Sequence, residues 1–312
     1  MEQSYRVYPT LPGFAEHCTE YSDEIVWILQ ESELNRLTIR YTSPQLRYRD
    51  ALVNFVRLVG ECKTCTLRRS TVHLAIYMLD TFMDNHNITD NRLNLVALSC
   101  VILAAKIEEN EPNVPKMKIM NKLIRNQYAS NDYIVLEVLL LKFFNWNLII
   151  PTTATFVEYW LLNVVGKHDF PPSTPEKVFH EHREDAINLV LDFLDITLVD
   201  IKMNNIRPSL LASACLAAAR FSIHVSNVWS ESMEELTGYS LQEIDTLWRE
   251  LSDSRAYLNE RKTACRKRSA FDSGYITDSY SIDDVDGEEW DEYDTEDTDD
   301  ENVLAFQSKR AR

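Results

Sequence analysis

With 312 residues, 45% of them apolar, the chain can bury a substantial core and is long enough for two domains, and only 6 glycines argue for helices over a turn-rich β fold. The net charge of -17 is concentrated near the C-terminus, where Asp272 to Glu301 hold 15 Asp/Glu and no Lys or Arg, leaving residues 1–271 at about -5 (29 basic against 34 acidic residues). That balance disfavours direct nucleic-acid binding, and no apolar run reaches the roughly 18 residues of a membrane span.

Residues 1–20 show little periodicity and precede the first domain. Tyr21–Arg40, with Ile25, Ile28, Leu29 and Leu37, is amphipathic and suits a helix packed on the outside of a domain. Ser43–Pro44 reads as an N-cap followed by proline at the first helical position, opening a helix with Leu46, Val53, Val56 and Val59 on one side. A second helix runs from about Leu67 to Asp84. The third is the most distinctive stretch in the chain. From Leu95 to Ala105 it carries no charge, Gly or Pro, so it reads as a helix surrounded by protein. It ends abruptly at Lys106, Glu108 and Glu109, where the bundle must reach its edge.

After Glu111–Pro112 comes a shorter helix with Met117, Met120, Leu123 and Ile124, and then a fifth, Asp132–Phe143, for which Ser130 is the expected cap. Phe144–Pro151 closes the unit with an extended piece. A second set of helices is expected at Thr152–Val165, Glu181–Val199, Pro208–Ile223, Ser230–Leu236 and Leu241–Leu258. At an offset of 115, Leu95, Ala97, Cys100 and Ala104 match Leu210, Ala212, Cys215 and Ala219, which suggests a duplicated five-helix unit. The boundaries are 1–42 for an N-terminal segment, 43–149 and 150–259 for two boxes, and 260–312 for a basic cluster with an acidic, disordered tail.

Catalytic signatures do not emerge. The GxGxxG, P-loop, HExxH and GxSxG patterns are missing, and His180 and His182 sit two apart on different helix faces. Cys62 and Cys65 form a CxxC without the second pair a zinc site needs, while Cys100 and Cys215 read as small buried hydrophobes. No metal, cofactor or enzymatic activity is expected. Without a recognisable signal peptide, the chain is expected inside the cell. Arg261, Lys262, Arg266, Lys267 and Arg268 would serve as a nuclear-import patch, or equally as a solvated helix end or a partner for the acidic tail. A nuclear location, with cytoplasm as a second compartment, is the expectation.

Lys106 and Glu137 are ionisable groups where apolar helices meet their boundaries, and each could turn toward the other. Buried charges need partners, so the pair either joins two helix ends or also grips a partner protein, with Ile107, Leu136, Leu140 and Phe144 providing a desolvated surround.

Several of these strings resemble the cyclins over roughly Ser43–Leu258. Arg49 in YRDALVNF stands where cyclins place the structural arginine of their first helix, LAAKIEE (Leu103–Glu109) matches the signature lysine at Lys106, and LEVLLLKFFNWNL (Leu136–Leu148) supplies the paired Glu137. SPQL, NLVALSC, NVPKM and WNLIIPT narrow the resemblance to the J class. The resemblance implies an all-α fold of two tandem five-helix boxes and a regulatory, non-catalytic role in cell division. Its partner would be a cyclin-dependent protein kinase, whose helix bearing the catalytic glutamate would contact Lys106 and Glu137. The alternative is a cyclin-fold adaptor or scaffold in transcription that activates no kinase. Where substrate-docking cyclins have Met, Leu and Trp with an acid one turn on, this chain has Tyr48, Leu52, Phe55 and Arg57. Protein substrates docking there would meet a positive charge, which disfavours arginine-led motifs.

Overall fold

A computed structural model describes residues 22–62, 65–125 and 127–269, with side chains between residues 24 and 258. The described residues form eleven α-helices and no strand. They divide into two compact units, one of residues 39–148 and the other of 149–261 together with the N-terminal segment up to Thr38.

In the first unit the helices are α2 (Arg49–Glu61), α3 (Arg69–Asn85), α4 (Leu93–Glu108), α5 (Met117–Leu123) and α6 (Ser130–Phe143). Helix α4 is the apolar stretch singled out above. Every residue from Leu95 to Ala105 is buried, and α2, α3 and α6 pack around it. No face of it could point to water without exposing Leu, Val or Ile, which fixes it as the axis of the bundle.

Pro44 does not open an α-helix directly. Ser43 caps as expected, its hydroxyl accepting the Gln45 N–H at 3.2 Å, but Pro44–Tyr48 is a 3-10 turn and the α-helix begins at Arg49. The tight turn turns the Gln45 amide inward, where it donates to Ile88 O and Asn87 Oδ1, both at 2.9 Å. Ser130 is likewise the first residue of α6 and not its cap. Asp132 satisfies the helix start instead, accepting the Ala129 N–H at 3.0 Å.

The second unit holds α7 (Thr153–Trp160), α8 (Glu176–Val199), α9 (Pro208–Ser222), α10 (Glu231–Thr237) and α11 (Leu241–Ser269). Helix α9 takes the role of α4: it is buried from Leu211 through Arg220, and its alanines at 212, 214, 217, 218 and 219 allow α7 and α8 to approach closely. Phe156, Trp160, Val190, Phe193, Leu194, Ile244 and Leu251 complete this core. Cys100 and Cys215 sit at equivalent buried positions on the two axial helices, and burial pushes both thiols well above their ordinary value. Helix α11 continues past the expected end at Leu258, so the basic cluster Arg261–Arg268 belongs to its last turns. Those side chains, and the acidic tail, lie outside the described residues.

The N-terminal segment, expected as one piece over 1–42, is shared between the units. Helix α1 (Ser22–Glu33) belongs with the second, but on a different face from the one its larger residues suggested. Val26 and Leu29 pack against the core while Ile25, Ile28 and Leu37 are exposed. Spacing explains the choice, since Val26, Leu29, Gln30 and Glu33 share one stripe. Glu33 caps α9, accepting the Ser209 N–H at 2.8 Å and the Ser209 hydroxyl at 2.6 Å. Gln30 donates to Thr237 O at 3.1 Å. By contrast, Ile39 is buried in the first unit, where the Asp84 carboxylate accepts the N–H groups of Arg40 and Thr42 at 2.7 and 3.0 Å.

Candidate functional site: a charged pair at the edge of the first box

Lys106 lies in the last turn of α4, where the helix dipole favours a cation, and Glu137 lies on α6, which packs alongside. Their side chains meet at 2.6 Å between Nζ and Oε1. Lys106 is 44% exposed and Glu137 24% exposed, so the pair is neither sequestered in the fold nor loose in solvent. An ion pair this open contributes only about 0–1 kcal/mol to stability. Its stabilising effect on the fold is therefore too small to explain its placement.

What surrounds the pair is organised by the buried layer beneath it. Leu136, Leu140 and Phe144, expected as contact residues, are buried core positions and support the site from below. Ile107 alone of the expected apolar surround is exposed. The accessible apolar groups on α6 are instead Ile134, Val135 and Val138. Ile134, Glu137, Val138 and Leu141 follow three- and four-residue steps and share one face. Exposed β-branched residues on an otherwise well-packed helix were the available sequence signal, hidden because a continuous apolar run does not say which side faces out.

The α4 end is clamped. Glu109 accepts the Arg68 N–H and the Thr71 hydroxyl, both at 2.6 Å, thereby capping α3, while the Arg68 guanidinium donates back to Glu108 O at 3.2 Å. Lys106 thus sits on a rigid platform.

Deeper in the box, Arg49 meets Asp80 with both side chains 2% exposed. Its Nε lies 3.0 and 3.1 Å from the two carboxylate oxygens and its Nη2 lies 3.0 Å from Oδ2. Arg49, for which a structural role was expected, is thus buried against a partner the sequence did not disclose. The second unit has its own buried pair, Arg220 with Asp169 at 2.6 Å, and Arg220 also donates to the carbonyls of Val164, Asn227 and Val228.

The first-helix groove differs from expectation. Leu52 is buried, and Tyr48, Phe55 and Arg57 are half-buried. Leu58, unremarked in the sequence, is 47% exposed and supplies the accessible apolar area on that helix. Tyr48 donates to Asp90 at 2.5 Å, a bond that raises its phenol above the ordinary value, and Arg47 reaches the same carboxylate at 3.2 Å. His73 is buried in α3, in keeping with a structural role. The described residues contain no His, Cys, Asp and Glu cluster able to hold a metal, and no helix long and apolar enough to cross a membrane.

Comparison with known proteins places the chain in a family. The model of the cyclin N-terminal domain matches residues 24–149 and that of the cyclin C-terminal domain matches 151–275. The chain belongs to the cyclin family. This cyclin is 35% identical to a cyclin-J-like protein of Mus musculus over 237 residues, 74% of the chain and 58% of that relative. It is 33% identical to cyclin-J of Homo sapiens over 217 residues, 68% of the chain and 55% of the relative. It therefore spans a little over half the length of these curated relatives. A viral cyclin from herpesvirus saimiri shares the fold, with a TM-score of 0.53 at 17% identity, covering 74% of this chain and 96% of that one.

Proposed function

We propose that this cyclin is a regulatory subunit that binds and activates a cyclin-dependent serine/threonine protein kinase through the face around Lys106 and Glu137. The observation that carries the reading is the half-exposed ion pair at 2.6 Å, set on a clamped helix end and flanked by exposed Ile107, Ile134 and Val138. Once a partner covers the pair, removing either charge leaves the other desolvated and unpaired, so each becomes far more costly to lose than it is in water. Exposed aliphatic groups next to it offer the apolar area such a cover requires. The partner's catalytic-glutamate helix, held against this face, would be pushed toward its active site and complete the kinase's Lys–Glu pair. The cyclin itself supplies no reacting group.

Co-purification with the tagged full chain, identification of the bound kinase and assay of that kinase with and without the chain test the reading. Recovery of a cyclin-dependent kinase with higher activity in the complex is expected; a chain that recovers none, or leaves it inactive, overturns it. Residence in the nucleus belongs to the same proposal, with Arg261–Arg268 as the import patch. Replacing Arg266, Lys267 and Arg268 by alanine shifts a fluorescent fusion toward the cytoplasm on this reading, and an unchanged distribution refutes it.

A further inference from the structure

Of the 10 prolines in the chain only two follow a serine or threonine, Pro44 and Pro175. The two sites have opposite surroundings. Ser43 is buried, its hydroxyl is held by the Gln45 side chain and accepts the Gln45 N–H, and Gln45 is itself anchored to Ile88 and Asn87. A kinase could reach it only by dismantling the cap of the first box. Thr174 lies in the loop before α8, flanked by exposed Pro171, Pro172 and Ser173 on one side and exposed Pro175, Glu176 and Lys177 on the other. Thr174 itself is half-buried, and its N–H closes a turn to Pro171 O at 2.9 Å.

Only the second site carries a basic residue three positions on, in the order Thr174–Pro175–Glu176–Lys177. We infer that Thr174 is a phosphorylation site for a proline-directed serine/threonine kinase that reads Pro175 and Lys177. Pro175 is already extended, with φ -60° and ψ 144°. Lys177 lies in the first turn of α8, which no side chain caps and whose first backbone bond runs from Phe179 N–H to Pro175 O. An uncapped first turn opens at little cost, so residues 174–177 can straighten without disturbing the buried part of the helix.

In the transfer, Thr174 Oγ forms a bond to the γ-phosphorus of magnesium-bound ATP. The bond to the β–γ bridging oxygen breaks, ADP leaves with that electron pair, and the hydroxyl proton passes to the kinase's base. The product is a phosphate next to the start of a 24-residue helix, where the dipole favours negative charge. Lys167, which now reaches Glu176 Oε1 at 3.1 Å, is positioned at that helix start to pair with it.

The test incubates the purified full chain with an active proline-directed kinase and magnesium-ATP and follows each phosphopeptide by mass spectrometry. The kinase is added in trans, so the outcome does not depend on the Lys106–Glu137 contact. Phosphate on Thr174 and none on Ser43 is expected, with the rate at Thr174 abolished by Pro175→Ala. Lys177→Ala should slow it by about fivefold, the scale of one exposed charged contact. Circular dichroism checks that each variant keeps its helices. An unmodified Thr174 beside other phosphorylated serines or threonines overturns the inference, as does a rate indifferent to Pro175 and Lys177.

Discussion

Replacing Arg49 by alanine should cripple the first box although the residue lies away from the proposed binding face. The guanidinium makes three contacts of 3.0–3.1 Å with Asp80, and both side chains are 2% exposed. Alanine takes the Arg49 guanidinium away from the buried Asp80 carboxylate, and breaking one partner of such a pair costs about 3–5 kcal/mol. Burial, followed by the Asp80 charge, also pushes the Cys100 thiol upward. Against a total stability of about 5–15 kcal/mol the loss is a large share, and a domain of this size should melt at least ~10 °C lower. Arg49→Lys keeps the charge but not the two-pronged geometry and should fall between the two. The combined Arg49→Met, Asp80→Leu change removes both desolvated groups and should recover most of the loss. Calorimetric unfolding, fitted with separate transitions for the two units, measures all four proteins. A cost for Arg49→Ala below about 1 kcal/mol, or a double variant no better than the single, refutes this account of the pair.

Three further outcomes follow from the same structure. Burial outweighs the Ser209 bonds and holds the Glu33 carboxyl above its ordinary value, so its contribution is greatest in acid and is lost as pH rises through the folded value; Glu33→Gln should remove that loss, and thermal melts in which the variant weakens more at neutral than at acid pH would contradict it. Burial also pushes Asp169 upward, but the hydrogen bonds and charge of Arg220, with the Gly166 N–H, more than offset it and leave the carboxyl below its ordinary value. Its stabilising effect is complete above the unfolded value and disappears as pH falls through the folded one, so Asp169→Asn should destabilise the second unit by about 3–5 kcal/mol at neutral pH and flatten its acid transition in melts across pH. In the first-helix groove, Arg57→Glu should strengthen binding of a peptide carrying an Arg-x-Leu motif, measured by titration; tight binding by the unaltered chain without gain in the variant would reject the charge argument.

Much of the fold is legible in the chain because its two axial helices carry unmistakable patterns. Leu95–Ala105 admits only a surrounded helix, and the structure buries every one of those residues. The Lys106–Glu137 pairing was legible too, although only Lys106 lies at a helix end, while Glu137, expected at a boundary, sits midway along α6. The orientation of α6 was not. Its run of Ile, Val and Leu offers no polar face to mark solvent, so Leu136 and Leu140 looked available for contact while Ile134 and Val138 are the ones exposed. Helix α1 misled for a related reason: larger residues at Ile25 and Ile28 suggested the buried side, whereas the cap formed by Glu33 on Ser209 sets its rotation. Asp80 and Asp169 were invisible as partners because a buried ion pair between residues far apart in sequence leaves no periodic trace.

The central claim is that Lys106 and Glu137 grip a kinase, and titration calorimetry with the co-purified kinase tests it most directly. Lys106→Ala and Glu137→Ala should retain normal helicity, because neither side chain fills core volume, yet weaken association by about 2–5 kcal/mol. The double variant should lose less than the sum of the singles, since the two groups share one hydrogen bond at 2.6 Å. Well-folded single variants that bind the kinase as tightly as the unaltered chain would contradict the claim and place the contact on another surface.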